Sequence, residues 1–180
     1  MSILKIARMG HPVLRTPARA LDRPALRSSA VQKLIDDMIE TMTEYRGVGL
    51  AAPQVHEDLR IFVALLDADD DGDDDRPPLV AINPEIVPAG PEMVDGWEGC
   101  LSIPDIRGKV PRHFEVRLRA LDRDGDPIEL RARGFSARVI QHETDHLDGI
   151  LFFDRMRGFE TLTFLEEYSR YWNKHDDDEE

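Results

Sequence analysis

Residues 136–148 constrain the fold of this chain more than any other segment, because their pattern predicts a helix that is buried on more than one side. Val139 and His146 share one face of such a helix, whereas Ile140 and Leu147 supply a second set of core contacts. An ordinary solvated helix needs only one apolar face. We therefore expect other elements to pack around this central helix from several directions.

Apolar periodicity along the rest of the chain predicts the elements around it. A repeat of three and four over residues 31–45 indicates an amphipathic N-terminal helix, and residues 161–172 are predicted to form a closing C-terminal helix. The predicted strands are residues 60–66, 79–82, 114–121 and 128–132. The sequence therefore predicts an α+β fold, in which mixed, largely antiparallel sheets surround the central helix.

Length and composition fit one domain over residues 1–180. The chain is 41% hydrophobic and has no apolar run long enough to span a membrane. Its single cysteine, Cys100, cannot form an internal disulfide, which suits a reducing compartment. A net charge of −13 disfavours binding to nucleic-acid phosphates. We therefore expect a cytoplasmic protein that binds neither nucleic acid nor membrane directly.

Two acidic segments are predicted to lie on the surface. Residues 67–78 combine a run of aspartates with two prolines, and residues 174–180 form an acidic tail, so both segments are better solvated than packed. The aspartate run matches the first half of a calcium-binding EF-hand loop, but Pro78 stands where that loop requires a glutamate. We predict a flexible loop and a flexible tail rather than a calcium site.

Two histidines on the central helix form a candidate metal site. His142 and His146 are four residues apart, so they stack on one helix face and can bind one cation. Glu143 is adjacent to the first histidine and can accept a proton from water at the metal. The alternative is a helix that carries two unconnected histidines, because a motif this short also recurs by chance.

A catalytic metal site needs a third protein ligand, and the sequence leaves the choice open. Glu166 or Glu167 in the closing helix would complete a metallopeptidase site, whereas Phe152 stands where another metallopeptidase class has a histidine. Cys100 is the other candidate, although an isolated cysteine is more often a small buried side chain. A closed four-ligand site in a non-enzymatic metal-binding module is a further alternative.

Three ordered motifs resemble the signatures of the peptide deformylases. They are Gly47-Val-Gly-Leu-Ala-Ala-Pro-Gln54, Glu98-Gly-Cys-Leu-Ser102 and Gln141-His-Glu-Thr-Asp-His-Leu-Asp-Gly149. The resemblance extends from Gly10 to Phe152 and therefore covers most of the chain. It implies an α+β fold and removal of the formyl group from the N-terminal formylmethionine of newly made polypeptides. N-formylmethionyl peptides would be the substrates and formate a product.

The resemblance also implies a role for each motif residue. The ligands of one divalent ion per chain would be Cys100, His142 and His146. That ion would be Fe²⁺, with Zn²⁺, Ni²⁺ or Co²⁺ able to substitute. Glu143 would be the general acid/base for attack by metal-bound water, while the Gln54 side chain and the Leu101 backbone N–H would stabilise the oxyanion. The methionine pocket would be bordered by Val48, Gly49, Gly99, Arg138 and Val139.

Two features depart from what the resemblance implies. Arg138 stands where some family members have an aliphatic residue, so we expect its alkyl stem to line the pocket and its charged end to reach solvent. The family resemblance also implies transient contact with the ribosome. The closing helix carries Glu160, Glu166 and Glu167, however, and this acidic character disfavours docking through that helix.

Overall fold

The computed structural model describes residues 2–66 and 77–173, so most of the predicted acidic loop and the whole acidic tail lie outside the described residues. The helices of this described part are α1 (Arg23–Leu26), α2 (Ser29–Glu44), α3 (Gly134–Leu147), α4 (Phe152–Arg155) and α5 (Leu165–Glu167). The strands of the same part are β1 (Gly49–Ala51), β2 (Ile61–Ala64), β3 (Leu79–Pro88), β4 (Met93–Cys100), β5 (Ile103–His113), β6 (Glu115–Leu121), β7 (Pro127–Arg133) and β8 (Thr163–Phe164). Shorter helical turns lie at Pro12–Arg15, Ala52–Val55 and Tyr168–Trp172.

The strands form two sheets with antiparallel neighbours. One sheet has five strands in the order β1-β2-β3-β6-β7, and the other has three in the order β4-β5-β8. The predicted α+β fold with largely antiparallel sheets is therefore confirmed. Strands β6 and β7 are joined by a turn at Asp124 and Gly125, where the Gly125 N–H donates to the Asp122 carbonyl at 3.1 Å.

The predicted N-terminal helix is confirmed as α2. Its start is set by Ser28, whose hydroxyl accepts a hydrogen bond from the Val31 N–H at 3.3 Å. Its apolar face, which includes Ile35, Met38 and Met42, is fully buried against the edge of the five-stranded sheet. Across residues 2–66 and 77–173, no helix is both long and apolar enough to cross a membrane.

The predicted central helix is confirmed as α3, which contacts strands of both sheets. Eleven of its 14 residues are buried, so no face of this helix is broadly exposed to solvent. Ile140 and Leu147 pack in the core of the five-stranded sheet, whereas His142 points towards β4 of the smaller sheet. The helix ends before Gly149, which has a φ of 73° and approaches the backbone of Arg15 too closely for a Cβ.

The four predicted strands are present as β2, β3, β6 and β7, and β3 extends beyond its predicted end to Pro88. Strands β1, β4, β5 and β8 were not predicted. The β4–β5 hairpin is the most important of these, because β4 ends at Cys100 and the hairpin faces α3. The smaller sheet thus carries the cysteine to the helix that carries the two histidines.

The closing helix predicted over residues 161–172 is wrong in its first part. Thr163 and Phe164 pair with Arg107 and Ile106 on the edge of β5, so the chain is extended there. Helical structure begins only at Leu165 and continues through the turn at Tyr168–Trp172. Strand pairing with β5 therefore overrides the helical periodicity of this segment.

Candidate metal and catalytic site

The structure brings the three predicted metal ligands together. His142 and His146 lie one turn apart on α3, and Cys100 lies at the end of β4. The potential ligand atoms of these three residues all lie within 4.8 Å of one another, and Cys100 Sγ is 3.2 Å from His146 Nε2. One sulfur and two imidazole nitrogens around one point can hold one divalent ion.

The Cys100 sulfur lies in an environment that favours the thiolate. Burial opposes ionisation, but the nearby rings of His146 and His142 outweigh it, so the pKa of the thiol falls well below its usual value. The Ser102 N–H and the Gln54 amide also donate to this sulfur, at 3.4 and 3.5 Å. The thiolate is the form that binds a metal.

Glu98 orients the first histidine. Its Oε2 lies 2.9 Å from His142 Nδ1, which leaves the other ring nitrogen free to face the candidate metal position. Glu98 and Cys100 are two residues apart on β4, and both side chains contact the histidines of α3, although the pairing with β5 shifts register between them. Burial would raise the pKa of Glu98, but hydrogen bonds from His142 and Arg112 and their charges hold it below its usual range.

A buried network of ion pairs supports Glu98 from behind. Arg112 donates to both Glu98 oxygens, through Nε at 2.9 Å and Nη2 at 3.0 Å, and its Nη1 pairs with Asp145. Arg155 makes two further hydrogen bonds to Asp145. Sequence reasoning assigned no role to Glu98, Arg112 or Asp145. Asp145 lies within the His142–His146 motif, but its partners Arg112 and Arg155 are 33 and 10 residues away, so no local pattern indicates them.

Glu143 lies beside the ligand group in a position suited to proton transfer. Burial raises its pKa to about 7, while the positive charges of His142 and His146 partly oppose this shift. Its Oε2 is buried and has no hydrogen-bond partner within the described residues. A carboxyl group with a pKa near neutrality can both accept and donate a proton at physiological pH.

Gly49 makes room for that carboxylate. A Cβ added at Gly49 would overlap the Glu143 carboxylate, because β1 passes directly over this side chain. Glycine therefore lets the Glu143 carboxylate keep this position, through close approach and not through its backbone angles. Gly49, which was predicted to border the methionine pocket, thus lies directly against Glu143.

Gln54 is held with its amide nitrogen facing the site. The Ala51 N–H donates to Gln54 Oε1 at 2.8 Å, which fixes the orientation of the side-chain amide. Gln54 Nε2 then faces Ser102 Oγ at 3.4 Å as well as the Cys100 sulfur. Leu101, whose backbone N–H is the second predicted donor, follows Cys100 and lines the same cleft.

A cleft of about 760 Å³ opens onto these groups. It is lined by all five residues that were predicted to bind the substrate, Val48, Gly49, Gly99, Arg138 and Val139. The charged end of Arg138 was expected to extend into solvent, but it turns inward and only 12% of the side chain is exposed, so this expectation is wrong. Its guanidinium pairs with Glu98 at 2.9 Å and donates to the carbonyls of Val110 and Val94 at 2.7 Å, because the buried carboxylate and the hairpin carbonyls attract it inward.

The alternative third ligands do not join the site. Among the described residues, the group with metal-ligand geometry contains Cys100 and neither Glu166 nor Glu167. Glu166 is exposed on α5, and Glu167 pairs with Arg170 at 3.4 Å. The three-ligand set fits a divalent ion, since it combines a thiolate with two imidazoles beside a buried carboxylate oxygen that lacks a partner.

Comparisons with known proteins agree on one family. The family model described as "Polypeptide deformylase" matches residues 3–161. "Peptide deformylase 2" of Nostoc sp. is 39% identical over 183 residues and covers 96% of each chain. "Peptide deformylase 1" of Bordetella pertussis is 44% identical over 166 residues, covering 89% of this chain and 92% of the relative. A Met-Ala-Ser-bound crystal structure of class I type b peptide deformylase from Acinetobacter baumannii has a TM-score of 0.78 at 40% identity, covering 87% of this chain and 100% of the other.

Proposed function

The chain belongs to the polypeptide deformylase family and is a hydrolase that removes N-terminal formyl groups, and from this premise we propose that it works with one divalent ion held by Cys100, His142 and His146. The observation that carries the proposal is the convergence of these three side chains within 4.8 Å beside Glu143. We propose Fe²⁺ as the ion, with Zn²⁺, Ni²⁺ or Co²⁺ as substitutes. When bound, the ion supplies a Lewis acid that lowers the pKa of water.

Glu143 moves the proton in the proposed mechanism. It accepts a proton from the water that attacks the formyl carbon, and its pKa of about 7 suits that task near neutral pH. It then donates the proton to the amine nitrogen as the C–N bond breaks. The products are formate and a polypeptide with a free N-terminal amine.

Gln54 and Leu101 stabilise the negative charge that develops on the formyl oxygen. The Gln54 amide is fixed by the Ala51 N–H and requires no reorganisation during the reaction. The Leu101 backbone N–H is the second donor. Each preorganised donor is expected to contribute about 3 kcal/mol to transition-state stabilisation.

The substrates are proposed to be N-formylmethionyl polypeptides, with the methionine side chain against Val48, Gly49, Gly99, Val139 and the stem of Arg138. The Acinetobacter baumannii structure with Met-Ala-Ser supports this choice, because that tripeptide corresponds to a deformylated product. We further propose that residues 1–180 act as one catalytic domain. Cytoplasmic location and transient ribosome contact stay predictions.

Formate release tests the proposed function directly. Iron-loaded protein is expected to release formate from formyl-Met-Ala-Ser and to contain about one metal ion per chain. The Cys100→Ser variant should lose both the metal and the activity, because it removes the thiolate ligand. Glu166→Ala should keep both. Metal loss in Glu166→Ala but not in Cys100→Ser would favour a different ligand set, and absence of formate with fully loaded protein would contradict the function.

Gly49→Ala is expected to lower kcat for formate release by about 10²-fold, because the added methyl group must displace the Glu143 carboxylate. Gly90→Ala is the matched control, since a Cβ at Gly90 would meet no atom within 4 Å. Steady-state kinetics and the melting temperature of both variants provide the measurement. Equal kcat values for the two variants would show that the position of Glu143 does not depend on Gly49.

A further inference from the structure

The mouth of the cleft is basic although the chain as a whole is strongly acidic. The chain has 36 acidic and 23 basic residues. Four cationic side chains nevertheless line the cleft outside the buried Arg138–Glu98 pair, namely Lys5, Arg8, Arg46 and Arg107. We call these four residues the basic rim. Asp105 is the one acidic residue of the cleft lining, within the described part of the chain, other than Glu98 and Glu143.

Among residues 2–66 and 77–173, the basic rim has no carboxylate partner. Within the described residues, none of its four side chains forms an ion pair with a carboxylate, whereas exposed arginines elsewhere do so, for example Arg15 with Asp154 and Arg119 with Glu129. An acidic chain has many carboxylates available for pairing. Cations left unpaired around a substrate cleft are therefore available to an anionic group on the ligand.

Arg8 is held at the site by the backbone around it. The Ala7 N–H donates to the Gln54 carbonyl at 2.7 Å, and the Met9 N–H donates to the Ser102 carbonyl at 2.8 Å. These two bonds attach the N-terminal segment to Gln54 and Ser102, which lie in the two motifs that contain the proposed oxyanion donors. The backbone of Arg8 is thus anchored next to the cleft, and its exposed side chain lines the cleft.

Arg46 occupies a position at which glycine would be favoured on conformational grounds. It follows the end of α2 with a φ of 53°, in the left-handed region that side chains rarely adopt. Its side chain is exposed and lines the cleft. The strained backbone gives Arg46 no structural advantage over glycine, which favours a role for its charge.

Arg107 contributes a fourth charge, from strand β5. Its guanidinium lies so close to Gly99 that a Cβ there would overlap it, and its Nη1 donates to the Ile106 carbonyl at 3.1 Å. Gly99 is next to Cys100, so this charge lies near the ligand group. The rim therefore includes cations from the N-terminal segment, from the end of α2 and from β5.

From these observations we propose that the basic rim selects N-formylmethionyl polypeptides with an aspartate or glutamate within the first few residues after the methionine. The inference rests on the proposed function. That function places the formyl group of the substrate at Glu143, so the residues after the methionine extend through the mouth of the cleft. The exposed charges of Lys5, Arg8 and Arg46 then face the residues downstream of methionine. Salt is expected to weaken this selection, because exposed charges are screened.

Formate release from three C-terminally amidated peptides tests the proposal, because the amide removes the terminal carboxylate. We expect kcat/KM for formyl-Met-Ala-Glu amide to exceed that for formyl-Met-Ala-Lys amide by about tenfold at low ionic strength, with the Ser peptide between them. At 0.5 M NaCl the ratio should fall below about threefold. Formyl-Met-Ala-Ser with a free carboxylate serves as a fourth substrate.

Variants that change the charge of the basic rim test whether the rim causes the difference in kcat/KM between the Glu and Lys peptides. The double variant Arg8→Glu, Arg46→Glu should abolish or invert the Glu-to-Lys ratio, whereas Arg23→Glu, an exposed change on α1 away from the cleft, should leave it unchanged. Arg46→Gly removes one charge and relieves the left-handed backbone, so it should lower the ratio without lowering the melting temperature.

The possible outcomes are distinguishable. Equal rates for the Glu and Lys peptides, or a ratio that survives the double variant, would overturn the inference while leaving the proposed function intact. A higher kcat/KM for the free-acid Ser peptide alone would also overturn the inference, because the rim would then recognise the terminal carboxylate of a peptide. Absence of formate from every peptide would instead contradict the proposed function.

Discussion

Replacing Glu143 with glutamine is expected to lower kcat for formate release by about 10³-fold. Glutamine has nearly the same shape but cannot accept a proton from water. Three features motivate the proposed acid/base role of Glu143: its burial, its pKa of about 7 and the lack of a partner for Oε2 within the described residues. Steady-state kinetics with formyl-Met-Ala-Ser and metal analysis of the same samples provide the measurement.

The Glu143→Gln variant should otherwise be intact. Its metal content is expected to match that of the wild type, because Glu143 is not one of the three proposed ligands. Its melting temperature should be unchanged or higher, since the substitution removes a buried carboxylate whose Oε2 is unpaired. A variant that loses its metal would point to a ligand role for Glu143, and one that keeps full kcat would remove it from the mechanism.

The two long helices were predictable because their patterns are local. In α2 the three-and-four repeat of apolar residues and the Ser28 cap act within a few turns of chain. In α3 the same periodicity and the flanking Gly134 and Gly149 define the ends to within two residues. The histidine pair and Glu143 were therefore placed correctly on one buried helix from sequence alone.

The β4–β5 hairpin was not predicted because its sequence lacks a regular alternation. Gly96, Gly99 and Gly108 interrupt the apolar pattern, and Pro104 and Pro111 are residues that strands usually exclude. These glycines meet tertiary needs, since Gly96 and Gly99 lie against the guanidinium groups of arginines. Long-range packing, which no local pattern records, thus shapes the strand that carries Cys100.

The missing hairpin also explains why Glu98 was overlooked. Once β4 is known to be a strand, the two-residue spacing makes Glu98 a candidate to face the same helix as Cys100, and its contact with His142 confirms that placement. The error for Arg138 has the same origin. Its charged end was expected in solvent because its buried partner, Glu98, had no assigned position.

Replacing Glu98 with alanine is expected to destabilise the protein by about 3–5 kcal/mol, because Arg112 would remain buried without its main partner. For a chain of this size the melting temperature should fall by roughly 10 °C. Glu129→Ala is the matched control, since Glu129 pairs with Arg117 and Arg119 on the surface. Its expected cost is below about 1 kcal/mol. Denaturant unfolding and thermal melting measure both variants.

Glu98→Gln separates this stabilising role from the effect on metal binding. Its amide oxygen can still accept one hydrogen bond, so the loss of stability should be smaller than in Glu98→Ala. The orientation of His142 depends on the acceptor at its Nδ1, and metal affinity is therefore expected to fall by about 10- to 100-fold in Glu98→Ala. Metal titration of the refolded variants measures this effect. Wild-type affinity in Glu98→Ala, together with a stability loss no larger than that of Glu129→Ala, would show that neither the arginine network nor His142 depends on this carboxylate.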